Sequence, residues 1–320
     1  MVGTDSRIDI LLATYNGADY IRAQIDSIIN QTYTNWRLLV SDDGSTDGTV
    51  DIIQEYVEKD KRIVLVSNGR KYGSARDNFM GLMRKATADY VAFCDQDDIW
   101  KKNKLEITIS VILANEKRLG SSTPLLVYTD LQVVDKKLES IASSYYSFMN
   151  INPLRSDLNE LLVQNVVTGC TMLINNALRL LVLETGAIND KRIIMHDWYM
   201  GIFASIYGQL IYVPQATVLY RQHGDNSVGA TKFSVLRWIA GWKTNLASVS
   251  NSFDQAEVVL KGVKNTHHEM PKNQSMSLLR EFLSIRHKPF FLRPKALRRG
   301  NFLKSNVSRR LGQYVFVLFV

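Results

Sequence analysis

The residues best suited to chemistry are four consecutive polar side chains, Asp95-Gln96-Asp97-Asp98, which follow the apolar run Tyr90-Val91-Ala92-Phe93-Cys94. Carboxylates crowded at the end of a buried strand repel one another, and they persist most easily where a divalent cation neutralises them. The spacing Asp95-x-Asp97 lets two carboxylates flank one hard cation, Mg²⁺ or Mn²⁺, with phosphate oxygens completing its shell. The competing reading is a loop whose aspartates cap a helix expected over Lys101–Asn115. Two further polar clusters, Ala13-Thr14-Tyr15-Asn16-Gly17 and Ser41 to Thr49 (SDDGSTDGT), also follow short apolar runs.

These clusters must be positioned by a regular frame. Ile8–Leu12 reads as a strand and gives way to a helical pattern with Ile21, Ile25, Ile28 and Ile29 on one face. Trp36–Val40 reads as a second strand, followed by a helix marked by Val50, Ile53 and Val57, with Ser45, Thr46 and Asp47 available as caps. A strand over Arg62–Val66, a helix over about Ser74–Lys85 and the Asp-rich fourth strand continue the alternation. Val127–Asp130 and Val167–Met172 read as further strands. The pattern predicts an α/β fold with a mainly parallel sheet flanked by helices. Ligands bind such sheets at the carboxyl ends of the strands, where all three clusters fall.

At 320 residues and 46% hydrophobic, the chain is long enough for an α/β core and a second element. Cys94 and Cys170 lie in apolar contexts and indicate reduced, structural thiols in a cytosolic protein, a disulfide being the less favoured reading. The amino terminus lacks the apolar core of a signal peptide and no run of about eighteen apolar residues occurs, so neither secretion nor a spanning helix is expected. Charge divides the chain: residues 1–225 hold 23 Lys and Arg against 27 Asp and Glu, whereas residues 226–320 hold 16 against 4. The excess of +12 in the last segment implies a polyanionic partner, nucleic acid or an anionic membrane. Phe233–Lys243 and Phe290–Arg299 mix aromatic, aliphatic and cationic side chains, which suits a helix lying among lipid headgroups or an amphipathic helix docked on the rest of the chain. Tyr314–Val320 is too short to span a bilayer and reads as a buried strand, a homo-oligomer contact or an interfacial anchor.

The series Ala13-Thr14-Tyr15-Asn16-Gly17, Ser41-Asp42-Asp43-Gly44-Ser45-Thr46-Asp47 and Asp95-Gln96-Asp97-Asp98-Ile99-Trp100, followed by His196-Asp197-Trp198 and Tyr220-Arg221-Gln222-His223, resembles the family 2 glycosyltransferases with the GT-A fold. The resemblance covers roughly residues 7–225 and is nearest to bacterial rhamnosyltransferases that build cell-wall or capsular polysaccharide. It implies a GT-A catalytic domain over 1–225, while composition alone makes 226–320 a basic, mainly helical region that contacts a membrane surface or another subunit.

The resemblance also implies roles for single residues. Thr14, Tyr15 and Asn16 would bind the nucleotide, with Tyr15 stacking on a pyrimidine. Asp42 or Asp43 would accept the pyrimidine N3–H, Asp42 being preferred, and Arg76 would approach the diphosphate. Asp95 would contact the ribose and the cation, Asp97 would ligate the cation, and His223 would add a nitrogen ligand or a hydrogen bond to phosphate. Arg221 would neutralise phosphate charge, and Thr168 and Gly169 would face the acceptor. Asp197, at the head of a helix that the resemblance places over about Trp198–Tyr207, would be the base that accepts the hydroxyl proton, with His196 as its rival and capping of that helix as a simpler role.

The implied enzyme is a metal-dependent inverting glycosyltransferase that uses Mn²⁺ or Mg²⁺. Its donor would be a nucleoside diphosphate sugar, dTDP-rhamnose before a UDP-sugar, and its acceptor a lipid-linked glycan. It would act peripherally at the cytoplasmic face of a bacterial plasma membrane. A non-catalytic sugar-nucleotide-binding module tethered to a membrane is the alternative, and a nucleic-acid partner is not expected. A dinucleotide oxidoreductase is disfavoured, because the first strand lacks a glycine-rich phosphate turn.

Overall fold

The computed structural model describes residues 6–67, 71–223, 241–268 and 273–320. Most of the Phe233–Lys243 segment therefore lies outside the described residues. The chain divides into two compact units. The first comprises residues 1–145, 168–180 and 211–229, and the second 146–167, 181–210 and 230–320.

The first unit is built on β1 (Ile8–Thr14), β2 (Trp36–Asp42), β3 (Ile63–Ser67) and β4 (Tyr90–Asp95), which are parallel and lie in the order β3-β2-β1-β4. Every residue of β1 is buried, as expected of a strand covered on both faces. Helices Ile21–Ile29, Thr49–Lys59 and Ala75–Met83 alternate with these strands. The register sets Thr14 opposite Asp42 and Ala13 opposite Asp95, so the polar clusters finish together at one edge.

Beyond β4 the sheet becomes antiparallel, through β5 (Ile99–Trp100), β6 (Leu125–Val134), β7 (Ser140–Ala142), β8 (Leu173–Asn175) and β9 (Gln209–Arg221). The two-residue β5 changes the expected role of the acidic run. It pairs with β9, Ile99 opposite Leu219, and the next helix begins only at Lys104, with Asn103 at its cap position. Asp95 to Asp98 are thus too far upstream to cap that helix.

Two other expectations are corrected. Residues 167–172 are not a strand: Thr168 O accepts from the amide of Thr171 (2.9 Å) and from its hydroxyl (2.7 Å), closing a turn over Gly169–Thr171 before β8 begins. The carboxyl-terminal run is not a strand either. Asn306 caps a helix, Val307–Phe316, by accepting from Arg309 N at 2.9 Å, and a short turn, Val317–Phe319, follows.

The second unit is helical. His196–Tyr207 is buried along nearly its whole length, and Gly262 of the helix Trp242–Asn265 lies where an added Cβ would come within 3.0 Å of Phe203 and of the Tyr199 hydroxyl. Phe253 stacks on Phe282 at 4.5 Å, and Phe282 meets Phe302 at 5.1 Å. Residues 146–167 and 181–210 therefore share a core with the carboxyl-terminal helices. Both cysteines are free and buried, and no helix among the described residues is long and apolar enough to cross a membrane.

One buried carboxylate stitches β1 to its neighbours. Asp9, with no exposed surface, accepts from Arg37 Nε and Nη2 (3.0 and 2.9 Å) and from the amides of Thr87 and Ala88 (2.7 and 3.0 Å). Replacing it leaves a guanidinium and two amides short of their acceptor. Asp9→Ala is expected to lower the unfolding free energy by about 3 kcal/mol, read from denaturant titration.

Candidate active site

The edge formed by the ends of β1, β2 and β4 is organised by side chains that bond backbone. Asp42 is fully buried, and its Oδ1 accepts from the amides of Gly44 (2.9 Å) and Ser45 (2.8 Å). Its Oδ2 accepts from the hydroxyls of Thr14 (2.8 Å) and Ser45 (2.6 Å). Both oxygens are committed inside the protein, which ties Asp42 to the structure of the loop. Asp43 is partly buried and accepts from the amides of Tyr72 and Gly73, the latter at 2.9 Å.

The loop after β1 is locked in the same way. Gln96 bonds both backbone groups of Tyr15, accepting from its N–H and donating to its carbonyl, each at 2.9 Å. Gly17 passes beneath Gln96 so closely that a Cβ would lie 2.3 Å from the amide oxygen. Asn16 adopts φ +46, donates its backbone N–H to Ser45 Oγ and accepts from Thr46 N. The frame leaves the Tyr15 ring 58% exposed, available to stack on a planar ligand. Arg76 is paired with its neighbour Asp77 through Nε (2.8 Å) and Nη2 (3.0 Å), so part of its charge is balanced within the helix Ala75–Met83.

The acidic run meets the end of β9. His223 Nε2 lies 2.8 Å from Asp97 Oδ2, and the imidazole stacks on Tyr20 with a centroid separation of 4.7 Å. Arg221 is nearly buried. Its backbone N–H donates to Asp98 Oδ1 (3.2 Å), its Nε to Asp97 O and its Nη1 to Lys136 O (both 2.9 Å), and its guanidinium faces the Tyr20 ring at 5.1 Å. Arg221 thus clamps the backbone that carries Asp97. Tyr20, Gln96 and Asp98 were missed as site residues. Gln96 and Asp98 stand in the polar run that the sequence marked, but nothing in the local sequence marks Tyr20.

Asp98 is fully buried and its carboxyl is pushed well up, first by burial and then by the charges of Asp97 and Asp95. Asp95, Asp98 and Cys170 present ligand atoms within 4.8 Å of one another. Burial also pushes the Cys170 thiol well up, so it is a poor thiolate donor. Asp95, Asp97 and His223 are less enclosed than Asp98 and Cys170, and His223 Nε2 meets Asp97 Oδ2.

Thr168 and Gly169 lie at the start of the turn before β8, Thr168 partly exposed and Gly169 buried. Asp197 belongs to the second unit, in the first turn of the helix His196–Tyr207, where its Oδ1 accepts from Trp198 N at 2.6 Å. Burial pushes the neighbouring His196 down to about 3, which makes the imidazole a weak base.

Lys104 is fully buried in the first unit. Its ammonium lies 4.1 Å from the centre of the Trp100 ring and 3.5 Å from Thr171 O, and burial pushes it down to about 8.

The chain is similar in sequence and in fold to known proteins. The family described as Glycosyl transferase family 2 matches residues 9–178. The dTDP-rhamnosyl transferase RfbG of Shigella flexneri is 32% identical over 230 residues, covering 68% of this chain and 74% of the relative. The structure is similar to S. aureus TarS 1-349 in complex with UDP-GlcNAc, with a TM-score of 0.54 at 14% identity, covering 98% of this chain and 90% of that one. It is also similar to the mannosyltransferase PcManGT from Pyrobaculum calidifontis in complex with GDP-Man and Mn²⁺, with a TM-score of 0.52 at 16% identity, covering 92% and 73%. The fold shared with these structures is the GT-A fold expected from the sequence.

Two outcomes follow. Asp42→Ala strands two amides and two hydroxyls and is expected to cost about 2–3 kcal/mol of stability, visible as a lowered Tm. Loss of donor affinity with an unchanged Tm would instead support its base-reading role. The depressed Lys104 opposes folding fully below pH 8, by about 3 kcal/mol for a shift of this size, and the penalty fades as pH rises towards the unfolded value near 10.5. Lys104→Met is therefore expected to raise stability at pH 7 and to flatten its rise between pH 8 and 10, measured by urea unfolding across that range.

Proposed function

The chain belongs to glycosyl transferase family 2, and on that premise we propose that it moves a sugar, L-rhamnose, from a nucleoside diphosphate to a hydroxyl of a growing cell-surface glycan. The observation that carries the reading is the convergence of an exposed Tyr15, the Asp95 and Asp97 carboxylates and His223 on one sheet edge. Tyr15 stacks on the base, and Asp43 rather than Asp42 lies near enough to the surface to read it. Arg76 supplies positive charge towards the diphosphate. Arg221 acts through Asp97, holding its backbone, rather than by facing phosphate.

A divalent cation held by Asp95, Asp97 and His223 would neutralise the charge that develops on the departing nucleoside diphosphate. PcManGT, which shares the fold, is described in complex with Mn²⁺, which favours that ion, with Mg²⁺ as the alternative. Thr168 and Gly169 lie on the acceptor side, and Asp197 takes the hydroxyl proton. As the hydroxyl oxygen bonds to the anomeric carbon, the bond from that carbon to the diphosphate breaks, and a single displacement of this kind inverts the centre. The low basicity of His196 supports Asp197 as the base.

The donor is read as dTDP-rhamnose because the RfbG relative is named a dTDP-rhamnosyl transferase. A UDP-hexose is the second reading, supported by the UDP-GlcNAc complex of TarS. The acceptor is read as a lipid-linked glycan, and the basic region after residue 225 as the part that meets the cytoplasmic surface of the membrane.

The test is release of nucleoside diphosphate across a panel of sugar nucleotides with Mn²⁺ or Mg²⁺. One donor is expected to be turned over in a metal-dependent way, and Asp97→Ala and Asp197→Ala are each expected to lower the rate by about 10²-fold or more. Asp197→Ala should still bind the donor. No release from any donor, with lipid-linked glycans present, would leave the binding-module reading in its place.

A further inference from the structure

Among the described residues, four of the five exposed large aromatic side chains belong to one part of the second unit: Trp242, Phe290, Phe291 and Phe319. Phe290 and Phe291 are 62% and 64% exposed and stand, with Leu292, on a short turn after Pro289 that buries none of its residues. Arg293 fixes this turn to the carboxyl-terminal one. Its Nε and Nη2 donate to the carbonyls of Lys288 and Arg286, both at 3.0 Å, while its Nη1 donates to the carbonyls of Val317 and Leu318 (3.3 Å) and Val320. Trp242 completes the group, its ring 4.8 Å from Phe316 and 5.6 Å from Phe319. The aromatic side chains are thus presented by turns held in place through backbone bonds.

Cations are concentrated in the same stretch of chain. Residues 284–320 contain nine Lys and Arg and no Asp or Glu, and Lys243, Lys288, Lys295, Arg298 and Arg299 are exposed. Exposed Phe and Trp gain free energy by leaving water for the acyl boundary, whereas the ammonium and guanidinium groups are best placed at anionic headgroups. A second copy of the same face would set these cations against one another. We propose that this aromatic surface, with the exposed cations of the same stretch, inserts into an anionic bilayer, Phe290 and Phe291 entering the interface and Lys295, Arg298 and Arg299 binding lipid phosphate. This gives a surface to the membrane contact of the proposed function and rests on that reading for its setting, but not on the transfer chemistry.

The experiment is flotation of the purified full chain with vesicles of phosphatidylcholine alone or mixed with phosphatidylglycerol. The protein is expected to float with the mixed vesicles and far less with neutral ones. Phe290→Ser with Phe291→Ser should weaken partitioning by about tenfold or more, and Lys295→Glu with Arg298→Glu and Arg299→Glu should abolish the preference for anionic lipid. Tm and vesicle-free donor hydrolysis are measured on the same proteins and should stay at wild-type values. Absence of hydrolysis in every protein would count against the transferase reading and leave this one standing. Equal flotation of wild type and the double Phe variant would overturn the proposal. So would salt-sensitive binding to DNA without vesicle binding, or a dimer in light scattering that the Phe substitutions dissolve while flotation is absent.

Discussion

The geometry of the site depends on one buried carboxylate and the parallel register around it. Asp42 ends β2 beside Thr14 of β1, and its four accepted bonds join the end of β1 to the loop that leaves β2. A carboxylate shut away from water needs this many donors to offset its desolvation. Meeting that need draws Thr14, Gly44 and Ser45 into fixed places. Ser45 then receives the Asn16 amide, and Thr49 receives the Gly17 amide, so the two loops become one surface. Tyr15 is presented outward because the backbone around it is spoken for.

A second constraint comes from β9. Its pairing with the two-residue β5 takes the chain past the acidic run, where Arg221 bonds the Asp97 carbonyl and His223 meets the Asp97 carboxylate. The separation of more than 120 residues between these partners is closed by sheet pairing. Tyr20 lies under both Arg221 and His223, so an aromatic ring from the loop after β1 supports the end of β9. The site is therefore assembled from chain segments that meet only because the sheet turns from parallel to antiparallel after β4.

Sequence alone determined the alternation of strands and helices over the first hundred residues, because each element carries its own pattern and three of the four strands end in a polar cluster. It also determined the acidic run, the family resemblance and the concentration of positive charge in the last segment. Tertiary structure decided what local pattern could not. Asp42 and Asp43 are adjacent and chemically identical in the sequence, but one is saturated by donors from two loops and the other lies nearer the surface. Arg221 reads as a free cation until the carbonyls of Asp97 and Lys136 are placed beside it. Residues 167–172 read as a strand until the Thr168 carbonyl closes a turn. In each case the outcome depends on which donors and acceptors distant segments bring within 3 Å, and a hydrogen bond at that range is set by the fold and not by the neighbours in the chain.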